Sequence, residues 1–187
     1  GPVVGTGYAW ANSNTAINLP ATGNGNILPF NGTNTSNAPI SGAVVITPSY
    51  TNAGATCTGA TQDVLITVNP TPTVNSIANQ AQCVGASTTA VSFSSTFNVA
   101  GTTYAWTNSN TAINLPASGN GNIASFIATN GTTAPISSTI TVTSIYTGGG
   151  ISCNGGSTTF SINVNPTPSV TAPANVVLCN NATASAI

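Results

Sequence analysis

The near absence of charge is the most unusual feature of this sequence. Its 187 residues include no lysine, arginine or histidine, and Asp63 is the only acidic residue, whereas an ordinary soluble domain carries about 25% charged residues. Nucleic-acid binding depends on lysine and arginine that neutralise phosphates, and attraction to anionic lipid uses the same residues. The composition therefore excludes nucleic acid as a partner.

Long apolar runs are also missing. A membrane-spanning helix needs about 20 consecutive apolar residues, but the longest runs here are short pieces such as residues 43–46. We therefore expect no membrane insertion.

Few side chains that could act as an acid, base or metal ligand are present. Apart from Asp63, only four tyrosines and four cysteines are available for acid–base chemistry, and Asp63 aligns with Thr159 in the internal repeat described below. A serine or threonine nucleophile would need a base, calcium prefers several carboxylate oxygens, and zinc prefers clustered cysteine or histidine. We expect no enzyme, no metal site and no cofactor.

The residues that are present favour β structure. Hydrophobic residues make up 40% of the chain and the net charge is −1, whereas disordered chains combine low hydrophobicity with high net charge. Valine, isoleucine and threonine dominate the apolar stretches, as half-buried strands prefer. The sequence predicts an ordered, all-β protein.

An internal repeat of 96 residues organises the chain. Residues 12–20 recur letter for letter at residues 108–116, without insertion or deletion between the copies. A period near 100 residues corresponds to one domain per repeat. Further pairs at the same offset are Trp10 with Trp106, Tyr50 with Tyr146, Cys57 with Cys153, and Cys83 with Cys179.

Two Asn-Pro-Thr-Pro segments mark the predicted domain boundaries. Paired prolines fix φ and cannot continue a central β-ladder, so each linker should be short and semi-rigid. We predict a first repeat, residues 1–72, that lacks its first strands, a complete second repeat, 73–168, and the start of a third, 169–187. The linker residues are Pro70, Pro72, Pro166 and Pro168.

Alternating apolar and polar residues predict six strands in the second repeat. Short strands in a unit of this size indicate a two-sheet sandwich, so the expected fold class is all-β, with tandem immunoglobulin-like β-sandwich repeats. The predicted strands are residues 73–77, 88–95, 103–108, 122–129, 138–147 and 158–165.

The repeated aromatic residues have two interpretations. Their positions match the core tryptophan and the late-strand tyrosine of immunoglobulin-like sandwiches, so we predict that they are core aromatics. A sugar-stacking platform is the alternative. The residues are Trp10, Trp106, Tyr50 and Tyr146.

A set of short motifs occurs in a fixed order along the chain. Tyr-x-Trp is followed by a Gly-Asn-Gly-Asn turn, an Ile-Thr-Val-Thr strand, a glycine-rich hairpin with a cysteine, a closing Val-Asn-Pro-Thr-Pro, and Cys-x-Gly at Cys83. In this order the motifs resemble the PKD-like repeats of giant Bacteroidetes surface proteins, including gliding-motility adhesins exported by the type IX secretion system. The resemblance covers the whole chain and implies extracellular tandem sandwiches that form a stalk or adhesive shaft. PKD domains usually carry Gly-Asp-Gly at the turn, and the asparagine found here excludes a role that needs the acid.

The cysteines are predicted to form disulfides, because the protein resembles secreted ones and carries two cysteines per repeat. Cys83–Cys153 is the preferred pair, since both lie in the complete repeat. Pairing across neighbouring repeats is the alternative and would stiffen a stalk. The candidates are Cys57, Cys83, Cys153 and Cys179.

The two ends of the sequence align with nearby positions of the second repeat, Ile187 with Val91 inside the predicted strand 88–95 and Gly1 with Phe97 just after it. We interpret the chain as a window on a longer polypeptide, and a fibre subunit that polymerises by strand exchange is an alternative. The expected function is a non-catalytic structural or adhesive segment of an extracellular, cell-surface or secreted stalk or fibre, with a carbohydrate-binding module as runner-up. Expected partners are neighbouring repeats, identical chains and surface polysaccharide.

Overall fold

The computed structural model describes residues 3–186, which form an all-β protein with 42% strand and 3% helix. Within this range the strands make two five-stranded sheets, one from each repeat. None of the helices there is long and apolar enough to cross a membrane. Sheet 1 contains β1 (Gly7–Asn12), β2 (Thr22–Asn24), β3 (Ile40–Asn52), β4 (Ala55–Thr58) and β5 (Gln62–Val68). Sheet 2 contains β6 (Gln80–Cys83), β7 (Thr103–Asn108), β8 (Ser118–Asn120), β9 (Ile136–Gly148) and β10 (Ile151–Asn165).

Sheet 2 has the strand order β6-β10-β9-β7-β8. The long antiparallel hairpin of β9 and β10 forms its centre, and the register shifts once, between Asn154 and Ser157. The short strand β6 pairs in parallel with the end of β10, where Gln80 lies opposite Ile162 and Cys83 opposite Asn165. The beginning of the second repeat therefore pairs with its last strand.

Sheet 1 has the same arrangement except for this first strand. In sheet 1, β1, β2 and β3 correspond to β7, β8 and β9, and β4 together with β5 corresponds to β10. β5 pairs antiparallel with β3, with Val68 opposite Ile40. Among the described residues no strand pairs with the other edge of β5, so sheet 1 has no counterpart of β6.

Two extended segments, residues 87–95 and 122–128, form a second layer over sheet 2. They meet at two isolated bridges, Ser87 with Ile127 and Val91 with Ile123. Their apolar side chains join those of the sheet in one core, which contains twelve buried residues among those described. These are Val91, Phe93, Trp106, Ile113, Leu115, Ile123, Ala128, Ile140, Val142, Phe160, Ile162 and Val164.

Three of the six predicted strands are confirmed. Residues 103–108 coincide with β7, and residues 138–147 and 158–165 lie within β9 and β10. The other three predictions are wrong, because those segments are extended but contain at most isolated bridges. They are residues 73–77, 88–95 and 122–129.

Polar side chains explain why the second layer lacks a regular ladder. The backbone N–H of Phe93 donates to Oδ1 of Asn122 at 2.9 Å, and that of Phe126 donates to Oγ1 of Thr88 at 3.0 Å. Asparagine and threonine compete in this way for backbone groups that would otherwise form β-ladders. The alternating pattern therefore predicted too much regular strand.

The core of the first repeat is much smaller. Ile66 and Val68 are only half-buried, whereas Ile162 and Val164 at the equivalent positions are 1% and 0% exposed. The difference arises because the described part of the first repeat contains no counterpart of residues 73–95 to cover these side chains. Its buried apolar residues, among those described, are Ile17, Leu19 and Val44.

The linker between the repeats is packed against the second repeat. Pro70 and Pro72 are fully buried, and the side-chain amide of Asn69 donates to the carbonyl oxygen of Gly148 at 2.8 Å. A Cβ atom at Gly155 would collide with the carbonyl oxygen of Pro72. Only glycine at position 155 permits this approach, so the linker is held in place by close packing.

The second linker and the segment after it differ from the first. Pro166 is half-buried, and every residue from 167 to 186, Pro168 included, is exposed. The apolar side chains of Val170 and Val177 are 89% and 93% exposed. The predicted junction between Gly1 and Ile187 lies outside the described residues.

Replacing Gly155 with alanine is expected to lower the free energy of unfolding by about 1–3 kcal/mol, because the added methyl group overlaps the backbone of Pro72 and Oγ of Ser144. Gly156→Ala is the matched control, since nothing lies within 4 Å of a Cβ atom there. Denaturant unfolding of both variants measures the difference. Equal stabilities would contradict the tight packing of the linker.

Candidate functional site

A buried asparagine organises the second repeat. The side-chain amide of Asn108, which is 8% exposed, donates to the carbonyl oxygens of Leu115 at 2.8 Å and Pro116 at 3.1 Å. Its Oδ1 accepts the backbone N–H of Asn110 at 3.1 Å and the hydroxyl of Ser138. The amide is therefore satisfied as donor and as acceptor, as a buried amide requires.

The nine-residue motif that recurs in both repeats performs the same role twice. Asn12 donates to the carbonyl oxygen of Leu19 at 2.8 Å, as Asn108 does to Leu115. Further along the motif, the side chain of Asn110 caps a short 3-10 turn, and Asn114 ends that turn with φ of 72°. The letter-for-letter recurrence signalled the importance of this motif, but only the structure reveals its network of hydrogen bonds.

The two tryptophans pack over glycines of the neighbouring strand. Trp106 lies opposite Gly119 and Trp10 opposite Gly23, and a Cβ atom at either glycine would overlap the indole. Trp106 is 7% exposed and Trp10 is half-buried. Neither indole N–H has a hydrogen-bond partner among the described residues. The first glycine of each Gly-Asn-Gly turn thus makes room for the ring.

The two repeated tyrosines differ in exposure. Tyr146 follows the buried Val142 and Ser144 on the same face of β9 and is half-buried, whereas Tyr50 is 37% exposed. Tyr146 therefore faces inward in the second repeat, and Tyr50 lines an open groove in the first.

The charged and metal-ligating side chains do not converge on a site. Asp63 is exposed on β5, opposite Val45. In the part of the chain that the structure describes, no group of three histidine, cysteine, aspartate or glutamate side chains is placed to hold a metal ion. Without a charged or metal-binding site, the candidate sites are two surface cavities lined mainly by apolar residues, which are described below.

The structure contradicts the preferred disulfide, Cys83–Cys153. Cys83 lies opposite Asn165 at the end of β10, and Cys153 lies twelve residues earlier on the same strand. At about 3.3 Å per residue this places the two cysteines roughly 40 Å apart, whereas the Cα atoms of a disulfide lie within about 7 Å. All four cysteines are free thiols here, and Cys57, Cys83 and Cys179 are exposed.

A cavity of about 470 Å³ opens along the unpaired edge of β5. Its walls come from both repeats. In the second repeat, the equivalent positions on β10 are those that pair with β6. We name this cavity the open edge, and its lining includes Phe30, Ile66, Thr67, Val68, Asn69, Ile151 and Cys153.

A second groove, of about 410 Å³, lies at the other end of the first repeat. Two of its residues, Pro48 and Gly59, align with Ser144 and Gly155; in the second repeat the backbone of Pro72 and the hydroxyl of Ser144 both lie against Gly155. The positions that hold a linker in the second repeat are therefore open in the first. We name this the linker groove, and its lining includes Val3, Tyr8, Pro48, Tyr50, Cys57 and Gly59.

No family model, curated protein or solved structure matches this chain.

Truncation of Asn108 to alanine is expected to lower the free energy of unfolding by about 3 kcal/mol, because two carbonyl oxygens, an N–H and a hydroxyl lose their buried partner. Asn120→Ala serves as the control, since this asparagine is exposed and should change stability by less than about 0.5 kcal/mol. Thermal and denaturant unfolding measure both. A loss for Asn108→Ala no larger than that of the control would contradict the assigned network.

Proposed function

We propose that the chain is a non-catalytic structural and adhesive segment of an extracellular stalk or fibre, built from tandem immunoglobulin-like sandwiches of the PKD-like type. The observation that carries the proposal is the packed linker. Pro70 and Pro72 are fully buried, and Gly155 admits the backbone of Pro72. Two repeats joined through buried prolines resist bending, which is the property that a stalk needs.

A second contact across the boundary supports the same mechanical role. Asn37 of the first repeat donates from its side chain to the carbonyl oxygen of Asn98 in the second, at 3.1 Å. Together with the Asn69–Gly148 bond, 2.8 Å long, it fixes the boundary at two separate points. Both bonds join neutral groups, so salt does not screen them as it screens ion pairs.

The neutral surface is suited to an exposed fibre. Without lysine or arginine the chain offers no cleavage site to proteases that require a basic residue. Near-zero net charge also favours association. The partners that we propose are neighbouring repeats and identical chains, with surface polysaccharide as a possible adhesive target.

Carbohydrate binding, the alternative, finds little support in the aromatic residues of the second repeat. Stacking on sugars needs exposed rings in a shallow concave site. Trp106 is 7% exposed and belongs to the core of the second repeat, and Tyr146 is half-buried on the inner face of β9. Fibre formation by strand exchange is the other alternative.

Immunogold labelling of intact producing cells, with antibodies raised against this chain, tests the proposed function. We expect label along extended surface fibres without permeabilisation, because a stalk presents its repeats outside the cell. Antibodies against a cytoplasmic protein of the same cells provide the control for leakage. Label that appears only after permeabilisation would contradict the proposal.

A further inference from the structure

The outer face of sheet 2 is covered by small side chains that carry hydroxyl groups. On β9, residues 140, 142 and 144 are buried in the core, and successive side chains of a strand point to opposite faces. Thr141 and Thr143 therefore lie on the outer face. Thr107 of β7 also lies there, because its neighbours Trp106 and Asn108 are buried. The second layer of the repeat lies on the other side of the sheet, where it joins the core.

The register of the sheet aligns these side chains in two rows that cross β8, β7, β9 and β10. Neighbouring strands lie about 4.8 Å apart, and the two rows are separated by two residues, about 6.8 Å. Together the rows cover roughly 14 by 7 Å. The first row is Ser118, Thr107, Thr141 and Thr159, and the second row is Asn120, Ala105, Thr143 and Ser157. We name these two rows the hydroxyl strip.

A depression of about 320 Å³ lies within the hydroxyl strip. Ala105 has the smallest side chain of the two rows, and it lies between Asn120 and Thr143. The space above this alanine is therefore bordered by longer side chains that carry hydroxyl or amide groups. The strip residues that line the depression are Ala105, Thr107, Ser118, Asn120, Thr141 and Thr143.

The hydroxyl groups of the strip are already restricted in orientation. Threonine is β-branched and has few χ1 rotamers, and Oγ1 of Thr143 lies 2.8 Å from Oγ of Ser157 on the next strand. Such side chains lose little conformational entropy when a ligand binds. Each hydroxyl can both donate and accept a hydrogen bond. The strip is therefore matched to a ligand that also carries many hydroxyl groups.

The first repeat shows that the fold does not require hydroxyl groups on this face. Ala11 and Val45 occupy the positions equivalent to Thr107 and Thr141, and they pair with each other in the same register. Asp63 takes the place of Thr159 and lies opposite Val45. Because the same backbone accepts apolar and acidic side chains here, the threonines of sheet 2 are not needed to form the sheet.

The chemistry of the strip favours a neutral ligand. An anionic ligand would find no lysine, arginine or histidine anywhere in the sequence, and the single acidic residue, Asp63, belongs to sheet 1. Protein partners are bound mainly through aromatic, methionine and arginine side chains, and the strip contains none of these. A neutral ligand rich in hydroxyl groups remains.

We propose that the hydroxyl strip binds a neutral polysaccharide through hydrogen bonds, with one sugar unit in the depression. The two rows continue beyond the depression to Thr159 and Ser157 on β10, so the strip fits an extended chain better than a single sugar. Stacking on an indole is not involved, because Trp106 belongs to the core. The proposal rests on the adhesive part of the function proposed above and assigns it a site.

A single strip should bind weakly. Hydrogen bonds between protein and sugar replace those that each makes with water, so the net gain from each bond is small. Several copies of a weak site along one stalk bind a long polysaccharide much more tightly than one copy does. The measurement must therefore detect weak binding and locate it on the protein.

Nuclear magnetic resonance of the full, nitrogen-15-labelled chain, titrated with oligosaccharides, meets both needs. The probes are neutral oligosaccharides prepared from cellulose, dextran, mannan and galactan, and alginate oligosaccharides serve as the anionic control. We expect at least one neutral probe to shift the amide signals of the strip residues, and alginate to shift none. No shift with any neutral probe, or shifts confined to other surfaces, would overturn the proposal.

The combined variant Thr107→Ala with Thr141→Val tests the assigned hydroxyl groups. It copies the residues of the first repeat, Ala11 and Val45, so the sheet still forms. Loss of two hydroxyls should weaken binding at least about tenfold. Thr133→Val is the matched control, since Thr133 is exposed in a loop outside the strip, and it should bind as the wild type does.

Equal binding by the double variant and the wild type would overturn the assignment. Strip signals that shift with protein concentration in the absence of sugar would assign the strip to contact between copies, and this result would also overturn it. All these measurements use purified protein, so their outcome is independent of the immunogold experiment. Labelled surface fibres together with a failed titration would leave the stalk in place and remove only this site.

Discussion

The parallel pairing between the first and last strands of a repeat determines how much of that repeat is folded around a core. Where β6 lies along the end of β10, Ile162 and Val164 are buried and the second layer is in place. In the first repeat no described strand makes the equivalent pairing, and the same positions on β5 are only half-buried. β6 begins at Gln80, a short way beyond the Asn-Pro-Thr-Pro linker at residues 69–72, so the linker and the strand that covers the core are close in sequence. Because Pro70 and Pro72 are buried, the linker restricts bending between the two repeats.

A protein with a single charged side chain must hold its loops with neutral hydrogen bonds. Asparagine provides most of them here: Asn108 satisfies a buried turn, Asn110 caps it, and Asn69 and Asn37 join the two repeats. Each such bond contributes about 1 kcal/mol, and removal of a buried partner costs more than the bond contributes. The interactions that hold the loops are therefore insensitive to salt, which agrees with the fibre role that we propose.

The sequence predicted the β class and the positions of the repeated elements, because a 96-residue offset and the enrichment in β-branched residues carry that information directly. It did not predict β6, whose Gln-Ala-Gln-Cys sequence lacks apolar alternation and pairs through its backbone. The ladder in the second layer was over-predicted because Asn122 and Thr88 bind backbone groups with their side chains. The preferred pair Cys83–Cys153 was wrong because Cys83, on β6, lies beside the last residue of β10, whereas Cys153 lies near the first.

Electron microscopy of native material, with averaging along any filament, tests the central claim most directly. End-to-end repeats joined by packed linkers should appear as a single-file row of beads. Each bead should correspond to 96 residues and measure about 43 Å along the axis, given that β9 has thirteen residues at about 3.3 Å each. Separate two-bead particles, or chains packed side by side without an axial repeat of this length, would contradict the account.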